Sequence, residues 1–267
     1  MTDCWILYDR CDLEHNLFFA RSLRDNGSRL GMDTEIVLTE DASSLPVPDL
    51  VISRCRDWEL TKRIEEKGAT VVNDPEVSRI SNDKSETYRF VSNLGIPYLP
   101  YAFPEEELPP GPPWVVKSCL GHGGSEVRWA DDAETVESLF DELVDRKPMV
   151  QSTAPVLGRD IRLYALGGKP IAAVDRTSGS DFRANFSLGG KASLLQDIPD
   201  GMLRISEKIC EKLDPDFVGI DFLHGTDGEV YLNEIEDVVG TRMLYALTAL
   251  DPARMLMEYA FHSKMSR

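Results

Sequence analysis

The sequence predicts a mixed α/β (α+β) protein: a small parallel α/β lobe first, antiparallel hairpins after it. Three observations carry this. Short apolar runs alternate with helical spacing over roughly residues 1–80, the pattern of a parallel sheet. Two later stretches, 114–130 and 160–178, read strand, glycine-bearing loop, strand. A closing pair of strands, 217–224 and 229–236, surrounds the turn Gly225-Thr226-Asp227-Gly228, a hairpin signature.

The elements follow in order. "CWILYD" (4–9) is a buried strand, and 15–31 has helical spacing through Leu17, Phe18, Ala20, Leu23 and Leu30. Strands are expected at 34–40 and 49–55, then a helix over 57–68 ending at Gly68. Ligands meet the carboxyl ends of strands in such sheets, where Asp9, Arg10, Arg54 and Arg56 stand. Residues 82–94 form a helix that Asn82 or Asp83 can cap and that Gly95 and Pro97 stop. "EEELPPGPP" (105–113) is a turn-rich linker. A helix is expected at 132–145, a strand at 149–153, a helix at 201–213 and apolar helices over 241–262.

Composition removes several function classes. The chain has 267 residues, 42% hydrophobic and 28% charged, so it folds. A net charge of −17 repels phosphate backbones and argues against nucleic acid as the main partner. Five scattered cysteines show no metal-ligand spacing and fit a reducing cytoplasm. The N-terminus lacks the pattern of a signal peptide and no apolar run reaches membrane-spanning length, so a cytoplasmic location and no membrane partner are expected.

The closing hairpin raises the chemical question. Glu234 and Glu236 in "VYLNEIEDVVG" lie two apart on a strand, hence on one face about 6–7 Å apart. A tight turn brings Asp221 within a cross-strand step or two of them. Three unpaired carboxylates on one sheet repel and their pKa values rise. A divalent cation relieves this, and Mg²⁺ takes a few carboxylates together with substrate phosphates. A solvated acidic face accounts for Glu229 and Asp237, but Asp221 interrupts an apolar run. The hairpin therefore predicts a magnesium–nucleotide site with Asp221, Glu234 and Glu236 as metal ligands.

Such a site needs cations. Lys117 sits inside the apolar strand "WVVKS". Lys84 opens a helix, where its charge opposes the helix dipole unless it serves an anion. "GHGGS" (121–125) follows Lys117, and its Gly121, Gly123 and Gly124 let backbone N–H groups approach phosphate. It joins two strands, unlike a Walker loop, so it reads as a flap. In "SDFRANFSLGG" (180–190), Arg183 and Asn185 face the same way if extended, a pair suited to a terminal phosphate.

The motifs "NDK" (82–84), "VVKSCLGHGGSEV" (115–127), "VQSTAPVLGRDIRLYALGGKPIAAVDR" (150–176), "DFRANFSLGG" (181–190), "VGIDFL" (218–223) and "YLNEIE" (231–236), in this order, resemble the RimK-like branch of the ATP-grasp ligases over about residues 70–240. The resemblance implies an ATP-grasp fold: an N-terminal α/β domain (1–81), a central subdomain with the glycine-rich flap (82–153), and a C-terminal subdomain with the metal site (154–267). It implies ATP and Mg²⁺ as cofactors, with Mn²⁺ as a substitute. Lys84 and Lys117 match phosphate-contacting lysines, Gln151 and Ser152 the adenine-pocket segment, Asp160 the ribose-binding acid, and Arg183 with Asn185 the phosphate-side pair. Asp221, Glu234 and Glu236 match the metal ligands. The family usually carries Asn where Glu236 stands, and a different turn after it.

The reaction so implied phosphorylates a carboxylate with ATP and lets an amine displace phosphate, releasing ADP. Lys117, Arg183 and Asn185 are the residues expected to act on the reacting groups. Substrates are expected to be amino acids, small peptides or a cofactor, clamped through arginines such as Arg10, Arg54, Arg162, Arg176 and above all Arg242. A phosphotransferase and a nucleotide-binding module with little turnover are the alternatives. Homodimers and homotetramers are common in the family, and both stay open.

Overall fold

The computed structural model describes residues 2–179, 181–184, 190–226 and 228–264. It contains three four- or five-stranded sheets. The first is parallel, in the order β2-β1-β3-β4, from β1 (Asp3–Tyr8), β2 (Asp33–Leu38), β3 (Leu50–Arg54) and β4 (Thr70–Val72), with α1 (Arg10–Arg29) and α2 (Trp58–Glu65) as crossovers. β1 is apolar on both faces because both are covered. Ile6 and Tyr8 pack in the cluster that includes Phe19 and Leu23 of α1. Trp5 and Leu7 pack with Leu60 and Ile64 of α2.

Two helices lead out of this lobe, α3 (Pro75–Ser81) and α4 (Lys84–Asn93). The Asp83 carboxylate caps α4 by accepting from the Ser85 amide. The second sheet is antiparallel, β5-β8-β6-β7, from β5 (Tyr101–Ala102), β6 (Trp114–Ser118), β7 (Val127–Ala130) and β8 (Pro148–Ser152), with α5 (Ala133–Glu142) between β7 and β8.

The third sheet is also antiparallel, β11-β10-β9-β12-β13. Its strands are β9 (Arg159–Leu166), β10 (Lys169–Thr177), β11 (Lys191–Leu194), β12 (Phe217–His224) and β13 (Val230–Glu236); α6 (Asp200–Leu213) lies between β11 and β12. Alternation along its central strands separates core from site. Ile161 and Leu163 of β9 and Val218, Ile220 and Phe222 of β12 share a core with Met202, Ile205 and Ile209 of α6. Asp160, Arg162 and Asp221, at the intervening positions, are polar and buried.

α7 (Arg242–Leu247) and α8 (Pro252–Tyr259) follow. Leu256 and Met257 of α8 pack in one cluster with Leu23 of α1 and Tyr164 of β9, so the parallel lobe and the third sheet share a core. Among the described residues no helix is long and apolar enough to cross a membrane.

Candidate active site

A cleft enclosing about 910 Å³, including its mouth, is lined by residues of the second and third sheets, the N-terminus of α4 and the 121–124 loop. Its apolar wall includes Leu99, Val115, Val156, Leu157 and Leu223, a surface suited to a flat base. The loop forms the tip between β6 and β7, and positive φ angles at Gly123 (66°) and Gly124 (77°) turn it.

The cations converge here. Lys84 Nζ lies 2.5 Å from the Gly121 carbonyl oxygen and 3.4 Å from Glu234 Oε2. Burial opposes the Lys84 ammonium, but Glu234 outweighs it and holds the pKa above its ordinary value. Among the described residues Lys117 has no carboxylate partner in its hydrogen bonds. Its Nζ donates to Gln151 Oε1 (2.8 Å), Tyr88 Oη (3.1 Å) and Asn233 Oδ1 (3.3 Å). Burial, then the Lys84 charge, pushes its pKa down to about 7. Arg183 pairs with Asp181 at 2.7 Å and donates to the Gly124 carbonyl at 2.8 Å. Asn185 lies outside the described residues.

The anions line the same cleft, with Glu234 paired to Lys84. Asp221 stands on β12, opposite Glu234 of β13 on one side and Arg162 of β9 on the other. The hairpin brings Asp221 and Glu234 together, within the cross-strand step or two that a short turn predicts. Between Asp221 and Phe222 the register shifts, because β13 carries one extra residue: Glu234 opposes Asp221, Leu232 opposes Phe222, and Asn233 between them is a bulge.

The premise of unpaired carboxylates is corrected by the structure. Arg162 Nε and Nη2 reach the two oxygens of Asp221 at 2.7 and 2.6 Å, and its Nη1 reaches Glu236 at 2.7 Å. Arg176 Nη2 adds a third bond to Asp221 at 2.6 Å and grips Asp160 through Nε and Nη2 at 2.5 and 2.8 Å. Burial opposes the Asp221 charge, yet Arg162 and Arg176 hold its pKa at about 2. Burial takes Glu236 up to about 7 against the pull of Arg162. The reason for the error is strand order: β9 inserts beside β12, bringing arginines that the hairpin alone does not reveal. Arg162 and Arg176, expected as substrate clamps, therefore have their guanidinium groups on the protein's own carboxylates. Asp160, expected at the ribose, lines the cleft while its two oxygens accept from Arg176.

Of the other arginines, Arg54 donates to the carbonyls of Asp237 (3.3 Å) and Val239 (2.7 Å), tying β3 to the loop after β13. Arg10 is exposed and paired with Glu40. Arg242 is exposed at the start of α7 and does not line the cleft. Gln151 and Ser152 do line it. Glu236 and Arg162 are not on its wall. Sequence reasoning missed Tyr88 and Asn233, which only the tertiary fold brings to Lys117. The Cys119 thiol is buried, which pushes its pKa up to about 11 and makes it a poor nucleophile.

Asp221 and Glu234 offer hard oxygen donors to the cleft, the donor type magnesium takes. Among the described residues no three His, Cys, Asp or Glu form a complete metal cage. Two carboxylates completed by phosphate oxygens suit magnesium, which is commonly bound through one or two carboxylates and its nucleotide.

A cation-rich cleft between two antiparallel sheets, under a glycine flap, defines the ATP-grasp class of enzymes. A family model for the RimK-like ATP-grasp domain matches residues 106–260, more than half of the chain, and the chain belongs to that family. It is thus an ATP-dependent ligase of the carboxylate–amine type. An uncharacterized protein of Mycoplasma genitalium is 28% identical over 249 residues, covering 91% of this chain and 86% of its own. A probable alpha-L-glutamate ligase of Marinomonas sp. is 25% identical over 276 residues, covering 91% of each chain. The D-alanine–D-alanine ligase of Bacillus anthracis shares the fold, with a TM-score of 0.75, 13% identity and coverage of 99% and 97%.

Proposed function

We propose that this ligase activates a substrate carboxylate as an acyl phosphate and joins it to the amine of an amino acid, small peptide or cofactor. The observation that carries the reading is the opposition of Lys84, Lys117 and Arg183 to Asp221 and Glu234 around one cleft. The relatives' glutamate and D-alanine ligase names support an amino-acid substrate class. We divide the chain by role into 1–81, 82–153 and 154–267.

ATP with magnesium supplies the phosphoryl group and neutralises its charge; Asp221 and Glu234 would hold the metal, with Glu236 behind them. Lys84 and Arg183 meet phosphate oxygens, exchanging flap carbonyls for stronger charged acceptors. Lys117 donates to the nucleotide from the floor of the cleft. Gln151 and Ser152 flank the base. Arg162 and Arg176 hold Asp221 on station and keep it ionised. The 121–125 flap closes over the reacting groups and excludes water, which otherwise hydrolyses an activated acyl group. Asn185 is kept as the partner of Arg183 on the phosphate side, and Arg242 as a candidate for the acceptor side.

The test is ADP release from MgATP with pools of acids and amines. Turnover that requires both, and a product lighter by one water than the two substrates together, supports the reading. Phosphate retained on a hydroxylated acceptor would replace it with a phosphotransferase. Glu234→Gln, folded and inactive, is the expected control.

A further inference from the structure

We propose that Tyr88 is a positioning residue that fixes the direction in which Lys117 donates to the nucleotide. This rests on the reading above that Lys117 contacts nucleotide.

Tyr88 is fully buried and does not line the cleft. It stands on α4 four residues after Lys84, on the same helix face. Its hydroxyl has one donor and two acceptor positions, and all three are used. It accepts from Lys117 Nζ and from Gln151 Nε2, each at 3.1 Å, and donates to the Asn233 carbonyl at 3.1 Å. One phenol thereby joins α4, β6, β8 and β13, the four elements that bring Lys84, Lys117, Gln151 and Glu234 to the cleft.

The bulge makes this contact available. Asn233 is the residue that β13 carries in excess, so its carbonyl is free to accept from a side chain. The same displacement aims its Oδ1 at Lys117. Gln151 is equally constrained: Oε1 accepts from Lys117 while Nε2 donates to Tyr88 and to the Leu99 carbonyl at 3.2 Å. The ammonium sits among three neutral acceptors, so its charge is left for a ligand. The Tyr88 ring also lies 5.5 Å from Lys117 Nζ and stacks on Tyr101 at 4.9 Å. That stack keeps the ring in place when the hydroxyl is removed.

Neutral acceptors favour the charged amine, so the loss of one lowers the pH at which Lys117 deprotonates. Its pKa already lies near 7. The other titratable groups facing it are Lys84 on α4, Glu234 on β13 and Cys119 beyond β6, and Tyr88→Phe leaves all of them in place.

The experiment measures ADP affinity by calorimetry, in EDTA, between pH 6 and 9, for four proteins: wild type, Tyr88→Phe, Lys117→Met and the double variant. Tyr88→Phe is expected to bind ADP about 10-fold more weakly at pH 8, the value of one charged hydrogen bond, with the midpoint of its pH profile moved to lower pH. In the Lys117→Met background the same change has no further effect. Wild-type affinity and profile in Tyr88→Phe overturn the proposal. So does an equal loss at every pH that persists without Lys117, which marks a merely structural role. If Lys117→Met itself binds ADP as wild type does, the nucleotide role of Lys117 falls as well, and the two failures are told apart by that one variant.

Discussion

Arg162 holds both carboxylate oxygens of Asp221, at 2.7 and 2.6 Å, from the neighbouring strand of the sheet. Gly219 makes room for it: a Cβ there would lie 3.3 Å from Arg162 Cδ and 2.6 Å from Val239 Cγ2. The third donor group of Arg162 goes to Glu236, the glutamate at the position where the family usually carries asparagine. Arginine and glutamate form a compensated pair behind the cleft wall.

Arg162→Met should therefore leave the buried Asp221 and the half-buried Glu236 under-compensated. The expected loss of stability is about 3–5 kcal/mol, read as the fall in denaturant midpoint at constant slope. Magnesium chloride without nucleotide should recover part of this loss, while moving the wild-type midpoint little. A variant as stable as wild type would show that the network contributes nothing to the fold.

Asn73 is a second joint, at the end of β4. Its Nδ2 donates to the carbonyls of Phe217 (2.7 Å) and Asp237 (3.2 Å), and its Oδ1 accepts from the amides of Asp216 and Phe217, both at 2.8 Å. One buried carboxamide thus ties the parallel lobe to both ends of the closing hairpin. Asn73→Ala takes this partner from four backbone groups, of which the Asp237 carbonyl keeps Arg54, and should cost about 2–4 kcal/mol. Asn73→Asp should cost at least as much, because a carboxylate then faces two carbonyl oxygens. Urea unfolding checks both, and an Asp variant as stable as wild type would reject the account.

These two residues mark where sequence reasoning stops. The closing hairpin was legible because a short glycine-bearing turn joins two apolar strands; that brought Asp221 within a cross-strand step or two of Glu234, and the bulge at Asn233 sets the two directly opposite. The helix at 84–93 was legible because Asp83 caps it and Gly95 ends it. Lys84 and Lys117 stood out as charges where local physics disfavours them. From the sequence Arg162 reads as a substrate clamp and not as the partner of Asp221, since β9 joins β12 across some fifty residues with no short turn to fix the register. Tyr88 is an aromatic inside a helix with no local signal of its role, and the bulge at Asn233 has no glycine to announce it. β4, β5 and β11 are only two to four residues long, too short for a period-2 pattern to rise above chance.

The flap is held by the cations assigned here to phosphate. Lys84 takes the Gly121 carbonyl and Arg183 the Gly124 carbonyl. Lys84→Met removes one of these straps. Amide hydrogen exchange over 120–125, without nucleotide, should accelerate about 5-fold, the equivalent of roughly 1 kcal/mol. Unchanged exchange there would mean that the Lys84 contact does not restrain the flap.

Lys117 gives the pH signature. Its unliganded pKa is about 7, against 10.5 for a free lysine, so at pH 8 it is largely neutral. A phosphate placed beside it favours the ammonium and raises that pKa. ADP binding at pH 8, in EDTA, should therefore take up close to one proton. At pH 6 the amine is already charged and the uptake from this group vanishes. Calorimetry in two buffers of different ionisation enthalpy measures the proton count directly. Glu236, at about 7, also responds to nearby negative charge, so Lys117→Met is the necessary control: it should abolish most of the uptake at pH 8. Uptake that survives in that variant would assign the proton to the carboxylate side of the cleft instead.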